Sequence, residues 1–315
     1  MNPALPPALA AAIAALLDGV PRKDLAVRAE KMSAAYRTGG TSHAITTPLD
    51  AAAYAVARMP ATYAGIAAAF EKLAQAMPDF APASLLDVGA GTGAASWAAQ
   101  AAWPDIAVTM LDHNPALRTL ARKLADSGTL AAAEILAGDL GVEKPRADLV
   151  VAGYVLAELP EERAAAVAVD LWQSADKALV LIEPGTPQGF ARIRAARAAL
   201  IAAGAYVAAP CTHDSVCPMT GDDWCHFSQR LPRSRDHMLL KSANVPFEDE
   251  RYSYVAVSRE SVAHNKARIL APPLEAKPGL TFKLCDANGL RAQFVASRDK
   301  DEYRGARKLG WGDLF

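Results

Sequence analysis

Between Ser84 and Glu183 the chain alternates short apolar runs with amphipathic stretches, and no other feature narrows its fold as much. Ser84 to Val88, Ala107 to Leu111, Ala133 to Leu136, Asp148 to Tyr154 and Ala178 to Glu183 read as strands. Ala94 to Trp103, Pro115 to Ser127 and Pro160 to Ala175 read as helices between them, and Gly189 to Ala203 as one more after the fifth strand. A strand that pairs parallel to its neighbour needs a crossover of about a dozen residues or more, which a helix supplies. Repeated units of this kind give an α/β fold with a doubly wound, mainly parallel sheet. Ligands meet such sheets at the carboxyl ends of the strands.

Ahead of this region, apolar positions recur at helical spacing from Leu5 to Leu17, Leu25 to Tyr36, Leu49 to Met59 and Tyr63 to Met77. Pro21, Thr47 with Pro48, and Pro60 stand where helices start. Three units are expected: a helical N-terminal domain over 1–78 without chemistry of its own, an α/β core over 79–205, and a segment over 206–315 with the final core strands and a basic tail. With 315 residues, 52% hydrophobic and 21% charged, the chain can bury a core of that extent. The run Ala10–Ala12 follows Asn2 and Pro3 with no basic start and is soon interrupted by Asp18, so it reads as an amphipathic helix and not as a signal peptide. No apolar run nears the ~20 residues that span a bilayer, and no membrane partner is expected. At a net charge of −1, contact with nucleic acid must come from local patches.

The first strand leads into Leu85-Leu86-Asp87-Val88-Gly89-Ala90-Gly91-Thr92-Gly93. Gly89, Gly91 and Gly93 let the backbone turn sharply and approach a ligand, with a helix N-terminus behind them. Asp112 closes the second strand 25 positions after Asp87, where a carboxylate can hold ribose hydroxyls. Asp139 closes the third strand after Gly138, where it can face an adenine edge. Gly89 to Ala94 also fits the looser pattern of dinucleotide sites, and a pocket that has lost its ligand would look the same. Asp87 two places before the first glycine, together with Asp112 and Gly138-Asp139, resembles the class I S-adenosylmethionine-dependent methyltransferases. That resemblance implies a methyl-donor pocket.

Catalytic residues are harder to assign. Displacement at a sulfonium needs positioning and, for a protonated nucleophile, a base. The fourth strand ends in Gly153-Tyr154-Val155-Leu156-Ala157-Glu158-Leu159-Pro160, which lacks the Asn-Pro-Pro-Tyr motif of amino-directed methyltransferases. Tyr154 and Glu158 are the nearest candidates, yet a packing aromatic and a helix-start carboxylate explain them equally well. Glu183 to Pro187 forms a turn that either lines the pocket or only starts the next helix.

All four cysteines of the chain form one irregular pattern: Cys211, Cys217 and Cys225 fall close together, and Cys285 follows on a strand. Soft thiolates select zinc or iron–sulfur centres. Zinc knuckles space paired ligands by two to four residues. The wider gaps here suit a larger cluster held by four cysteines, with independent buried thiols as the plain alternative. Clustered unpaired cysteines also point to a reducing compartment, and a cytoplasmic location is expected.

The run Glu183-Pro184-Gly185-Thr186-Pro187-Gln188-Gly189-Phe190 and the pairs Pro210-Cys211 and Cys217-Pro218 belong to a longer pattern. It continues with Trp224-Cys225-His226-Phe227, Arg251-Tyr252-Ser253-Tyr254 and Trp311-Gly312-Asp313, and includes Ser33-Ala34-Ala35-Tyr36-Arg37 near the start. Together these segments resemble the small-ribosomal-subunit Rsm family of methyltransferase-like proteins over nearly the whole chain. The resemblance implies a 4Fe-4S cluster on Cys211, Cys217, Cys225 and Cys285. It also implies S-adenosylmethionine held around Asp87, Gly89, Gly91, Gly93, Asp112 and Asp139, and the small ribosomal subunit with its RNA as partner. A catalytically silent assembly factor and a zinc-stabilised small-molecule methyltransferase remain alternatives.

Two basic groups could meet RNA phosphates: Arg230, Arg233, Arg235 and Lys241, and in the tail Arg298, Lys300, Arg304, Arg307 and Lys308 with Tyr303 and Trp311. Asp299, Asp301 and Glu302 interleave, as on an ordinary solvated surface. Arg22, Lys23, Arg28, Lys31 and Arg37 read as a solvated helix face. Phe282 to Cys285 and Leu290 to Ala296 form a hairpin signal whose turn borders Cys285. The chain is expected to act as a monomer.

Overall fold

The computed structural model describes residues 3–37 and 40–315, with the side chain of Arg37 outside that description. Four helices open the chain: α1 (Pro7–Ala15), α2 (Arg22–Arg37), α3 (Pro48–Ala57) and α4 (Met59–Ala76). The start of α3 shows why the boundary falls where it does. The Thr47 hydroxyl accepts the Asp50 N–H at 3.2 Å, the Asp50 carboxylate accepts the Thr47 N–H at 3.0 Å, and Pro48 opens the helix.

The alternating region follows as β1 (Ser84–Val88), α5 (Ala94–Ala102), β2 (Ala107–Asp112), α6 (Pro115–Asp126), β3 (Glu134–Ala137), β4 (Ala147–Gly153), α7 (Ala164–Ser174), β5 (Ala175–Pro184) and α8 (Pro187–Ala202). Residues 161–163 form a separate 3-10 turn, so α7 starts later than the apolar pattern suggested. The chain continues through β6 (Tyr206–Ala209), β7 (Phe227–Pro232), α9 (Arg235–Leu240) and β8 (Phe247–Ser258).

These strands form one sheet in the order β3-β2-β1-β4-β5-β8-β6, with β7 also on β8. The first five are parallel, and β8 runs antiparallel to both β5 and β6. Val207 pairs with Val257 and Phe227 with Tyr252, so β6 and β7 are two pieces of one sheet edge. Residues 210–226, with three of the four cysteines, erupt from the gap between them.

Successive strand residues point to opposite faces, and the core divides accordingly. Leu85, Val151, Val180 and Tyr254 pack under α1–α6, while Leu86, Val150, Leu181 and Val255 pack under α7 and α8. The first of these layers runs without a break from Leu9 in α1 to Ala256 in β8, so the opening helices share the core of the sheet.

A small second sheet comprises β9 (Arg268–Ile269), β10 (Leu274–Ala276), β11 (Gly279–Asp286) and β12 (Gly289–Ala296), followed by α10 (Lys300–Ala306). Asp286 pairs with Gly289 across the hairpin turn, and Phe282, Leu284 and Val295 join Ala306 of α10 in a separate core. Among the described residues, no helix is long and apolar enough to cross a membrane.

Candidate functional site

The loop after β1 takes left-handed backbone at Gly89, Gly91 and Gly93, with φ of 68°, 56° and 85°. L-residues with a Cβ avoid this region. At Gly89 a Cβ would also strike Val155 at 2.4 Å, whereas at Gly91 it would meet nothing within 4 Å. Gly91 therefore faces open space, as a loop that cradles a ligand must. The cavity there is lined by Asp87, Gly89, Ala90, Gly91 and Thr92 from the loop and by Tyr54, Met59, Thr62 and Ile66 from α3 and α4. Those four helical residues were not legible as site residues, because helical spacing marks a buried face without saying what it covers.

Asp87 lies on the cavity wall, but its Oδ2 already accepts the Ser96 N–H at 3.1 Å and the Ser96 hydroxyl at 2.7 Å. Burial pushes its carboxyl up to about 7 against the opposing pull of those bonds. Asp112 stands behind the loop: Oδ2 accepts the Gly91 N–H at 2.7 Å and Oδ1 the Asn114 N–H at 2.7 Å. Asp139 is exposed beyond β3, outside the cavity lining, and accepts the Gly141 N–H.

A strap ties together the segments that follow β2 and β4. Ser42 donates to Glu158 through its N–H at 3.1 Å and its hydroxyl at 2.9 Å, and the Asn114 amide donates to the carbonyls of Ser42 and Ile45. Asn114 follows β2 and Glu158 follows β4, while β1 lies between those strands, so residues 42–45 bridge the two strand ends that flank β1. The cavity at the glycine loop holds only about 30 Å³, room for a water or two. Burial raises the Glu158 carboxyl above its ordinary value, against the Ser42 hydrogen bonds.

Tyr154 sits just beyond the cavity with φ of 63°, a conformation that costs a bulky residue energy and needs support from its surroundings. Its hydroxyl donates to Glu250 Oε1 at 2.9 Å, and Arg58 of the α3–α4 junction lies 3.5 Å from the same oxygen. Glu183, at the end of β5, is fully buried; its Oε1 accepts the Leu156 N–H at 2.8 Å while Oε2 has no partner among the described residues. Burial pushes the Glu183 carboxyl up to about 8.

The cysteine loop is pinned beside the sheet edge. The Ser253 hydroxyl donates to the Cys225 carbonyl at 2.8 Å, Trp224 Nε1 to the Gly185 carbonyl at 3.1 Å, and Asp214 accepts the Val207 N–H at 2.8 Å. The second sheet delivers Cys285 to the same place, its Sγ 3.6 Å from His213 Nε2. The thiols feel one another. Burial first, and then Cys211, Cys217 and Cys285, hold the Cys225 thiol well above its ordinary value. Burial followed by Cys211 and Cys217 pushes Cys285 up to about 12. Among the described residues, no three His, Cys, Asp or Glu side chains are close enough together to grip a single metal ion.

Two buried arginines flank the thiols. Arg197 donates to the His213 carbonyl at 2.6 Å and acts on Cys211, while its Nε has no partner among the described residues. Arg268 donates to the carbonyls of Pro210 and Gly312 at 2.7 and 2.8 Å. Each is 4% exposed, and neither has a carboxylate partner among the described residues. A guanidinium keeps its charge in a protein, and burying charge without compensation is costly. Sequence alone does not reveal these two, since an arginine on an amphipathic helix or strand ordinarily reads as exposed.

The strand order, with its antiparallel strand inserted beside β5, and the glycine loop at the end of β1 define an α/β fold of the class I S-adenosylmethionine methyltransferase type. Within that class the chain belongs to the Rsm22 family: the family model described as mitochondrial small ribosomal subunit Rsm22 matches residues 48–315. The human ribosome assembly protein METTL17, mitochondrial, is 31% identical over 285 residues, covering 83% of this chain and 61% of its own length. Rsm22-cox11 tandem protein 2, mitochondrial, of Schizosaccharomyces pombe is 27% identical over 354 aligned positions, covering 93% of this chain and 46% of its own length. The chain thus spans only about half to three fifths of these curated relatives. Among solved structures, magnesium protoporphyrin IX methyltransferase of Synechocystis with bound S-adenosylmethionine shares 19% identity at a TM-score of 0.43, over 64% of this chain and 80% of that one.

The expected cytoplasmic location is corrected by these relatives, which are mitochondrial by name. Unpaired cysteines separate reducing compartments from oxidising ones, and they do not distinguish one reducing compartment from another.

Proposed function

We propose that this chain is a methyltransferase-like protein of the small ribosomal subunit that carries a 4Fe-4S cluster and acts in ribosome assembly by docking on small-subunit RNA. The family match carries the ribosomal part, because it runs through the glycine loop and all four cysteines together. The relatives' names speak of ribosome assembly and of the small subunit, and the same setting is inferred here.

Cys211, Cys217, Cys225 and Cys285 are the ligands of the proposed cluster. Burial and the neighbouring thiols raise Cys211, Cys225 and Cys285, and beside them stand Arg197 and Arg268, whose buried charges have no carboxylate partner among the described residues. A cationic iron–sulfur core would bind the four thiolates, and the net negative charge of the ligated cluster would be answered by the two arginines. One zinc would draw its four sulfurs to within about 4 Å of each other, given Zn–S bonds of about 2.3 Å; a four-iron cluster takes ligands set farther apart. When bound, the cluster cross-links the loop over 210–226 to the second sheet through Cys285.

S-adenosylmethionine is the proposed ligand of the pocket above β1, where it would supply an electrophilic methyl group. The Gly89–Gly93 backbone would approach it, with Asp87, Asp112 and Asp139 around it. One observation favours the silent alternative: Asp87 and Asp112 are engaged with Ser96, Gly91 and Asn114, and the cavity at the glycine loop is small. Titration calorimetry with S-adenosylmethionine separates the two, since heat with one-to-one stoichiometry supports a donor site and no heat supports a silent factor.

Anaerobic purification tests the cluster. Brown protein with iron and inorganic sulfide in about four-to-four ratio is expected. Protein isolated anaerobically with one zinc and no iron would overturn the assignment.

A further inference from the structure

The basic residues of the C-terminal third differ sharply in what they already hold. Arg230 forms a two-pronged pair with Asp249 at 2.8 Å through each nitrogen. Arg233 and Lys241 both engage Glu248, Arg291 engages Asp286, and Lys283 engages Asp223. These charges are spent within the fold and offer little to a polyanion.

The cations of α10 are free by comparison. Lys300, Arg307 and Lys308 have no carboxylate partner among the described residues, and Arg304 has only Asp301 one turn back, at 3.4 Å and almost fully exposed. With Ser297 and Tyr303 they border a groove of about 530 Å³. The acidic residues that interleave in sequence, Asp299 and Glu302, do not border it. Arg307 lies over the Tyr303 ring at 6.0 Å.

The groove is framed by ordered structure. Ala306 is buried in the second core with Tyr303 packed against it, which fixes the helix on the sheet. Beyond it the chain end is stitched down: Gly312 donates to Ile269, Ile269 to Asp313, and Phe315 to Ala267. Four cations and an aromatic edge are thus displayed from a fixed backbone, which spares a ligand the cost of ordering the chain that carries them.

We propose that this groove is the surface through which the chain grips RNA, with Lys300, Arg304, Arg307 and Lys308 on consecutive phosphates of a single-stranded segment and Tyr303 available to an unpaired base. Cationic grooves with aromatic edges suit single strands, whose bases are unstacked and whose phosphates are accessible. The inference rests on the RNA-docking function proposed above and assigns that function a place on the molecule.

The test uses the full chain in two assays. Fluorescence anisotropy measures binding to a labelled single-stranded RNA across a salt series, and co-sedimentation measures binding to purified small subunits. Wild type is compared with the triple variant Lys300→Glu, Arg307→Glu, Lys308→Glu, and with a charge-matched control, Lys23→Glu, Lys31→Glu, Lys123→Glu. All six side chains are exposed, and thermal unfolding verifies that the variants are folded. The expected result is at least tenfold weaker RNA binding for the α10 variant, and a salt slope shallower by about 2 at ~0.7 per lost single-strand phosphate contact. Subunit binding should weaken as well, with the control near wild type.

Equal loss in both variants, or none in the α10 variant while wild type binds, would overturn the groove and leave docking intact. Wild type that fails to sediment with subunits would instead defeat the docking function. Subunit binding that depends on α10 without any binding of naked RNA would assign the groove to an acidic protein, and the RNA proposal would fall.

Discussion

The side-chain amide of Asn114 donates to the backbone carbonyl of Ile45 at 2.9 Å, a bond between the segment that precedes α3 and the end of β2. Asn114 also donates to the Ser42 carbonyl, and its Oδ1 caps α6 by accepting the N–H groups of Ala116 and Leu117. It is 5% exposed, so replacing it leaves two strap carbonyls and two helix N–H groups short of partners. Asn114→Ala should cost about 2–4 kcal/mol, combining a lost cap with unsatisfied buried groups. Urea unfolding measures it. A loss below about 0.5 kcal/mol would show that the strap is not held from this side.

Tyr154 keeps its left-handed backbone beside a buried carboxylate it serves as donor. Tyr154→Phe removes the hydroxyl from Glu250 while leaving the ring, and the expected loss is about 1.5–3 kcal/mol, the range for hydrogen bonds to charged groups. Arg58 reaches the same oxygen, so the effects of Tyr154→Phe and Arg58→Met should not add. A double-mutant cycle with no coupling would contradict the shared geometry.

Burial raises Asp87 from 3.8 to about 7 and Glu183 from 4.5 to about 8. Between these limits the folded chain binds more protons at the two sites than the unfolded chain does. Their contribution to stability is therefore complete below about pH 4 and is lost as pH rises through 7 to 8. Glu183→Gln keeps the acceptor for Leu156 and should flatten that decline. Chemical denaturation across this range checks the sign, and a Glu183→Gln profile as steep as wild type would show that Glu183 does not titrate there.

Substituting Gly89 with Ala places a Cβ 2.4 Å from Val155 Cγ2 at a φ of 68°. The loop must shift, and S-adenosylmethionine affinity should fall at least tenfold by calorimetry. Gly91→Ala carries the backbone strain without the clash, so a comparable loss there would come from the ligand side of the loop.

Much of the sheet could be read from the chain because its strands obey simple rules. Ser84–Val88 falls where its apolar run lies, and the parallel core follows from the helix lengths between strands. The later strands were hidden. The first half of β8 carries Glu248, Asp249, Glu250 and Arg251, a charged run that masks the strand pattern; its three carboxylates are held by Arg233, Lys241, Arg230 and Arg58. β6 and β7 are one edge in space and two fragments in sequence.

The site was legible where backbone demanded glycine, and opaque where distant elements meet. The strap from Ser42 to Asn114 and Glu158, the lining from α3 and α4, and the two buried arginines all depend on tertiary placement. Of the basic residues near the start, Arg22 pairs with Asp236 and Arg28 with Asp50, while Lys23 and Lys31 are exposed.

Cys285 lies on the second sheet, far in sequence from the other three thiols, and its role separates a cluster ligand from a buried thiol. Cys285→Ser should lower bound iron to below half of wild type after anaerobic purification and reduce the melting temperature by several degrees. Full iron content in the variant would remove Cys285 from the ligand set.

Crosslinking in cells tests whether this chain works on the small ribosomal subunit, as proposed above. The chain is crosslinked to RNA in place, and the contacts are read out by position. Contacts concentrated on small-subunit ribosomal RNA are expected, and their loss in the α10 triple variant would place them on the groove. Contacts spread evenly over messenger RNA, or none above background, would contradict the claim.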